Sequence, residues 1–160
     1  MASLNANFEN YFKSRASLLG EVLYYHLTLE ALLTEFIRKA DNAPSEKNLE
    51  KMGFSKKAHA CQEMDLLDSK LLLAIKVLNR IRNKYAHELN YEISFEEALS
   101  IAKQCGDAGV EFTDGVDGST TTEAKAMGYD TGSLLNETFR NTFFEIAWRQ
   151  GDQISIDYVG

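Results

Sequence analysis

The stretch "NRIRNKYAHELNYEISF" at residues 79–95 places Arg82, Asn83 and His87 within six positions. These residue types suit chemistry on a phosphate. An imidazole with a pKa of about 6.5 moves protons at neutral pH. A guanidinium stabilises charge on phosphate oxygens, and an amide positions a polar group. Arg82 raises a question of placement. At about 100° per residue it falls about 20° from Leu71, in the middle of an apolar face made with Ile75, Leu78 and Tyr85. Tyr85 reads as core packing. Asn79, Asn83, Lys76, His87 and Arg80 form a polar flank beside that face. A buried guanidinium without a partner is costly. The first helix offers two candidates, His26 and Glu30, four residues apart and inside the apolar arc bounded by Leu18 and Leu23. They are the expected structural partners of Arg82, although each alone also fits a satisfied polar group in a core.

The elements that must position these residues are helical. Residues 3–40 read as helix, with a break near Gly20 and with Leu18, Val22, Leu29, Leu33, Phe36 and Ile37 on one face. "DNAP" at 41–44 ends it. Ser45 caps a short turn reaching Met52, and Gly53 closes that turn. Ser55 is the expected cap of the next helix, and Asp68 that of a long helix reaching His87 or Leu89. Ser94 and Glu97 form a capping-box pair for a helix ending near Cys105. A last helix starts at Thr131 or Ser133, with Leu134, Leu135, Phe139, Phe143, Ile146 and Ala147 on its apolar side. The final "GDQISIDYVG" alternates weakly and reads as a short extended tail. The fold expected is an all-α, single-domain bundle of about five main helices spanning residues 1–160.

Between the last two helices the composition shifts. Residues 106–133 hold six of the ten glycines, a net charge of −5 and four consecutive hydroxyl residues, Ser119–Thr122. This reads as a long acidic irregular loop, a mobile surface segment that could shield a basic strip or dock on a basic partner. On that reading the fold tolerates deletion of 108–130, because loop entropy grows slowly with length. No phosphate-loop pattern occurs in it, and "DGVDGSTTTE" does not have the spacing of an EF-hand loop.

The chain as a whole carries −7, but outside that segment only −2. From Ser69 to His87 there are five bases, Lys70, Lys76, Arg80, Arg82 and Lys84, and no acid. Such a strip is compatible with phosphate binding on an acidic protein, and equally with a solvated helix face. The longest strictly apolar run, Leu71–Ile75, is far short of a membrane span. Glu9, Lys13 and Arg15 precede any apolar run, unlike a secretory signal. Cys61 and Cys105 lack metal-ligand spacing and read as reduced and buried or half-buried. The expectation is a cytoplasmic protein with no membrane partner, no metal and no cofactor.

"RNKYAH" resembles the Arg-Asn-x-x-x-His motif of the HEPN superfamily, small helical domains found in ribonucleases, toxins and nucleotidyltransferase partners; Arg82, Asn83 and His87 are the matching positions. The stretch from Phe54 to Ala98 is similar in layout to the mannitol operon repressor family. There too a short helix of the "FSKKAHACQEMDLL" kind precedes the motif helix, and "SFEEA"-like residues open the next. The resemblance covers about two thirds of the chain and leaves the acidic loop and the last ten residues unmatched. It implies a homodimer and metal-independent RNA cleavage. His87 is then the general acid/base, Arg82 the phosphate or transition-state group and Asn83 the positioning residue, with Lys76, Arg80 and Lys84 guiding the RNA backbone. The partners implied are RNA and a cognate protein or antitoxin. The regulatory family implies the alternative, a non-catalytic partner-binding bundle in which Arg82 and His87 fix a helix end and a dimer seam. No helix-turn-helix with a basic recognition helix accompanies it, so direct DNA repression is disfavoured.

Overall fold

The computed structural model describes residues 2–88 and 90–150, with side chains at 17–88 and 90–148. Among these residues it has seven α-helices and no strand: α1 Ala2–Lys39, α2 Glu46–Lys51, α3 Phe54–Glu63, α4 Ser69–His87, α5 Phe95–Asp107, α6 Thr121–Ala126 and α7 Thr131–Gln150. The all-α expectation is met. No helix among them is long and apolar enough to cross a membrane. The final ten residues lie outside the described part, and the expected extended tail with them.

The caps explain most boundaries. Ser45, Asp68 and Ser94 each accept a backbone N–H from the first turn of α2, α4 and α5. Helix α1 runs through Gly20 without the expected break; that glycine is exposed and has open space around it. Helix α3 starts one residue before Ser55, with Gly53 at its N-cap and no side chain capping it. Ser55 is therefore inside the first turn rather than in front of it. Glu97 does not return to the Ser94 backbone as a capping box would. Its carboxylate accepts from the Tyr91 hydroxyl at 2.9 Å and from Lys84 Nζ at 3.3 Å, closing the α4–α5 corner.

Helix α4 is central, packing against α1, α3, α5 and α7, while α7 also covers α1 and α5. Its buried residues are Leu71, Leu72, Ala74, Ile75, Val77, Leu78 and Ile81, and none follows Ile81. Both cysteines are buried free thiols, each pushed up to about 12 by burial.

Residues 106–133 differ from the expected mobile loop. They contain a 3-10 turn at Val116–Gly118 and helix α6. Thr120 and Glu123 make a full capping box: the Thr120 Oγ1 accepts from the Glu123 N–H at 3.2 Å, and the Glu123 carboxylate accepts from the Thr120 N–H at 2.7 Å. Gly109 and Gly128, at φ 99° and 94°, end α5 and α6 in the left-handed conformation that closes a helix. The Tyr129 hydroxyl donates to Asp114 at 2.6 Å, and the Lys125 ammonium lies 5.1 Å from the centre of the Phe95 ring. Val110, Phe112, Val116 and Ala124 are buried in the common core. Five of the six acids are exposed and Asp117 is half-buried, while the apolar residues between them hold the segment down, so composition was a poor guide to its packing.

Deleting 108–130 is therefore expected to abolish cooperative unfolding, contrary to the loop reading. Phe112→Ala should cost about 3–5 kcal/mol, the range for truncating a buried phenylalanine. Urea unfolding measures both, and a Phe112→Ala midpoint equal to the parent's would return the segment to the surface.

Candidate functional site

Arg82 sits in the apolar arc of α4 but just past the end of its core. The helix goes on beyond Ile81 with half-buried residues at 82–85 and exposed ones at 86–88. An arginine is tolerated there because its side chain lines a polar cleft instead of entering the core. The cleft, of about 450 Å³, lies between three helices. Helix α1 supplies His26 and Glu30, the start of α3 supplies Gly53, Phe54, Ser55 and Lys56, and α4 supplies Asn79, Arg82 and Asn83.

Three of these side chains form a chain of hydrogen bonds. His26 is 3% exposed, with its ring 4.0 Å from that of Phe54. Burial lowers its pKa most. The bond from Asn79 opposes this, the Arg82 charge lowers it further, and Glu30 raises it. A neutral ring facing a carbonyl oxygen must donate, so His26 Nε2–H donates to Asn79 Oδ1 at 2.9 Å. The Asn79 amide in turn donates to Ser55 Oγ at 3.4 Å. These bonds tie α1, α4 and α3 together at the cleft wall.

Among the described residues, Arg82 makes no direct hydrogen bond or ion pair with Glu30 or His26 within the chain. Glu30 accepts from Lys57 Nζ at 3.0 Å, and Lys57, on the first turn of α3, is itself buried. A lysine nearly sealed from water needs that carboxylate more than a half-exposed arginine does. His26 bonds Asn79 and meets Arg82 only through its charge. Among the described residues the one hydrogen bond of the Arg82 side chain runs from Nη1 to Asn83 Oδ1, at 3.0 Å. Its Nε is buried and has no hydrogen-bond partner. A guanidinium has five N–H donors, and this bond uses one of them.

The other expected site residues are dispersed. His87 is exposed in the last turn of α4 and does not line the cleft. It follows Asn79 and Asn83 at steps of four, so the three form one stripe along the helix. Lys76 and Arg80 lie across α4 in a second groove with Lys70, Leu73, Gln104 and Asp107, of about 780 Å³. Lys84 belongs to neither: its ammonium bonds Glu97 and sits 5.0 Å from the Tyr91 ring centre. Ser55, Lys56 and the Lys57–Glu30 pair were missed from sequence. The signal was available in "GFSKK", where Gly53 and Phe54 stand before three polar residues, which fits a helix that starts without a side-chain cap.

Two measurements check this geometry. A double-mutant cycle should give Glu30 and Lys57 a coupling of about 0.5–3 kcal/mol, and Glu30 with Arg82 a coupling below about 0.5 kcal/mol. The reverse order would restore the expected pairing. For His26, the folded pKa is lowered, so its contribution is present above the unfolded pKa of about 6.5 and is lost as pH falls below it. The Tm advantage of the parent over His26→Gln should therefore narrow between pH 7.5 and 5.5. Carboxylates titrate in both proteins and cancel in that difference; an advantage independent of pH would show that the ring is not held neutral.

Comparison of the chain with family models, with curated proteins and with solved structures gives no match, so the functional reading rests on this geometry and on the motif.

Proposed function

We propose that this chain is a HEPN-like homodimer and a metal-independent endoribonuclease of the toxin or defence type. The observation that carries the reading is Arg82 itself. Asn83 fixes one of its nitrogens, Nε has no partner among the described residues, and the same helix exposes an imidazole, His87, just beyond it. Within one chain His87 stands outside the Arg82 cleft. A two-fold contact along the end of α4 brings two copies of each residue to one substrate. One imidazole removes the proton of an RNA 2′-hydroxyl as that oxygen attacks phosphorus. The other protonates the departing 5′ oxygen, leaving a 2′,3′-cyclic phosphate. The two guanidinium groups stabilise the charge that builds on the phosphate oxygens. Lys76, Arg80 and Lys84 guide the RNA backbone, Lys84 while also bonding Glu97 at 3.3 Å.

A non-catalytic regulatory or partner-binding bundle, like the mannitol operon repressor family, is the second reading. It is favoured by large apolar side chains left exposed on α1 and α7: Tyr24, Leu27, Phe144 and Trp148, the last at 77%.

The discriminating experiment is incubation of the purified chain with mixed RNA in chelator. Cleavage should persist there, fall with rising salt as phosphate contacts weaken, and vanish in His87→Ala with an unchanged melting curve. Arg82→Ala should lose cleavage and some stability. RNA left intact by the parent at every salt concentration, with the protein folded and dimeric, favours the regulatory reading.

A further inference from the structure

We infer that residues 151–160 of this chain dock in its own outer groove between α4 and α5, an acidic and apolar segment laid over an apolar floor with a basic rim. The docking rests on the groove and the tail alone and holds whether or not the chain cleaves RNA. It would mask Lys76 and Arg80, two of the bases that the reading above offers to an RNA backbone.

The groove, of about 780 Å³, is apolar at its base and cationic at its edge. Leu73 lines it at 57% exposure, together with the buried Val77 and Ala108. A leucine so exposed gains when an apolar group covers it. Lys70, Lys76 and Arg80 are all exposed around that floor, against one acid, Asp107. Arg80 reaches Gln104 at 3.5 Å, an amide that leaves its charge uncancelled. No ion pair among the described residues engages the three cations. The lining is thus net +2, three bases less one acid, on a chain of net charge −7.

The occupant is argued from the sequence that follows α7. Residues 151–160 hold Asp152 and Asp157 and no base, a net −2 that complements the groove. Ile154, Ile156 and Tyr158 alternate with polar residues, so an extended chain puts all three on one side. Those side chains can cover Leu73 while the carboxylates meet the basic rim. Reach allows it. Thr142 of α7 meets Cys105 of α5, two residues before Asp107. Gln150 lies about 12 Å further along α7, and ten extended residues span about 33 Å. That length passes one helix width of about 10 Å and still runs along the groove.

The test uses the full chain. A carbodiimide couples a carboxylate to an amine in contact with it, and mass spectrometry of the digest identifies the partners. Asp152 or Asp157 should be joined to Lys70 or Lys76 in a product that migrates as one chain, with a yield independent of protein concentration. Amide NMR is the second readout. Ile156→Asp should shift the resonances of Leu73, Val77 and Ala108 and leave the melting temperature unchanged. Lys70→Glu with Lys76→Glu, both at exposed positions, should raise the free fraction of the tail about two- to fivefold, the range of exposed ion pairs. The amide resonances of Ile154 and Ile156 report that fraction, and adding Asp152→Lys with Asp157→Lys should reverse the change. Absent coupling, coupling to lysines elsewhere, or coupling that appears only as concentration rises would each overturn the docking. So would Ile156→Asp shifts confined to the tail, or charge reversal without rescue.

Discussion

Everything near the candidate site follows from where the core stops along α4. Four helices pack around it, and its fully buried residues run from Leu71 to Ile81. One residue later the same face is only half-buried, so a guanidinium in the apolar arc keeps part of its length in the cleft and leaves only its Nε buried without a partner. Arg82 occupies that first half-buried position. Had α4 ended one turn earlier there would be no platform for His87. Had the core extended one turn further, the guanidinium would need a buried counter-ion of its own.

That counter-ion exists but is spent elsewhere. Glu30 lies on the wall of the Arg82 cleft, and its carboxylate belongs to Lys57, the more deeply buried cation. The choice leaves Arg82 under-bonded and gives the cleft its positive lining. Asn79 then ties the walls together, accepting from His26 and donating to Ser55. An amide can do both at once, whereas a carboxylate at this position would accept twice and cancel the charge the cleft presents.

Period and capping made most of the fold legible in the sequence. Ser45, Asp68 and Ser94 marked three helix starts, and the inward faces of α1, α4 and α7 followed from spacing. The inward placement of His26 was also readable. Pairing was not, because a wheel describes one helix at a time and cannot say that Lys57 outcompetes Arg82 for Glu30. The 106–133 segment failed for another reason. Its glycines and acids resemble the composition of mobile loops, but the glycines at 109 and 128 end helices, and Thr120 with Glu123 starts one. A Thr-x-x-Glu spacing was present in the sequence, hidden within a run of four hydroxyl residues.

The separation of Tyr25 from Asn136, 111 residues apart along the chain and joined by a hydrogen bond at 3.0 Å, has a bearing on synthesis. All the side chains that line the cleft come from residues 26–83, so its parts leave the ribosome early. The helix that seals α1, α4 and α5 is α7, which emerges after all of them. Closing so long a loop is slow and pays its entropy before any reward. A nascent chain therefore carries the whole motif well before it has the core that holds the motif in place.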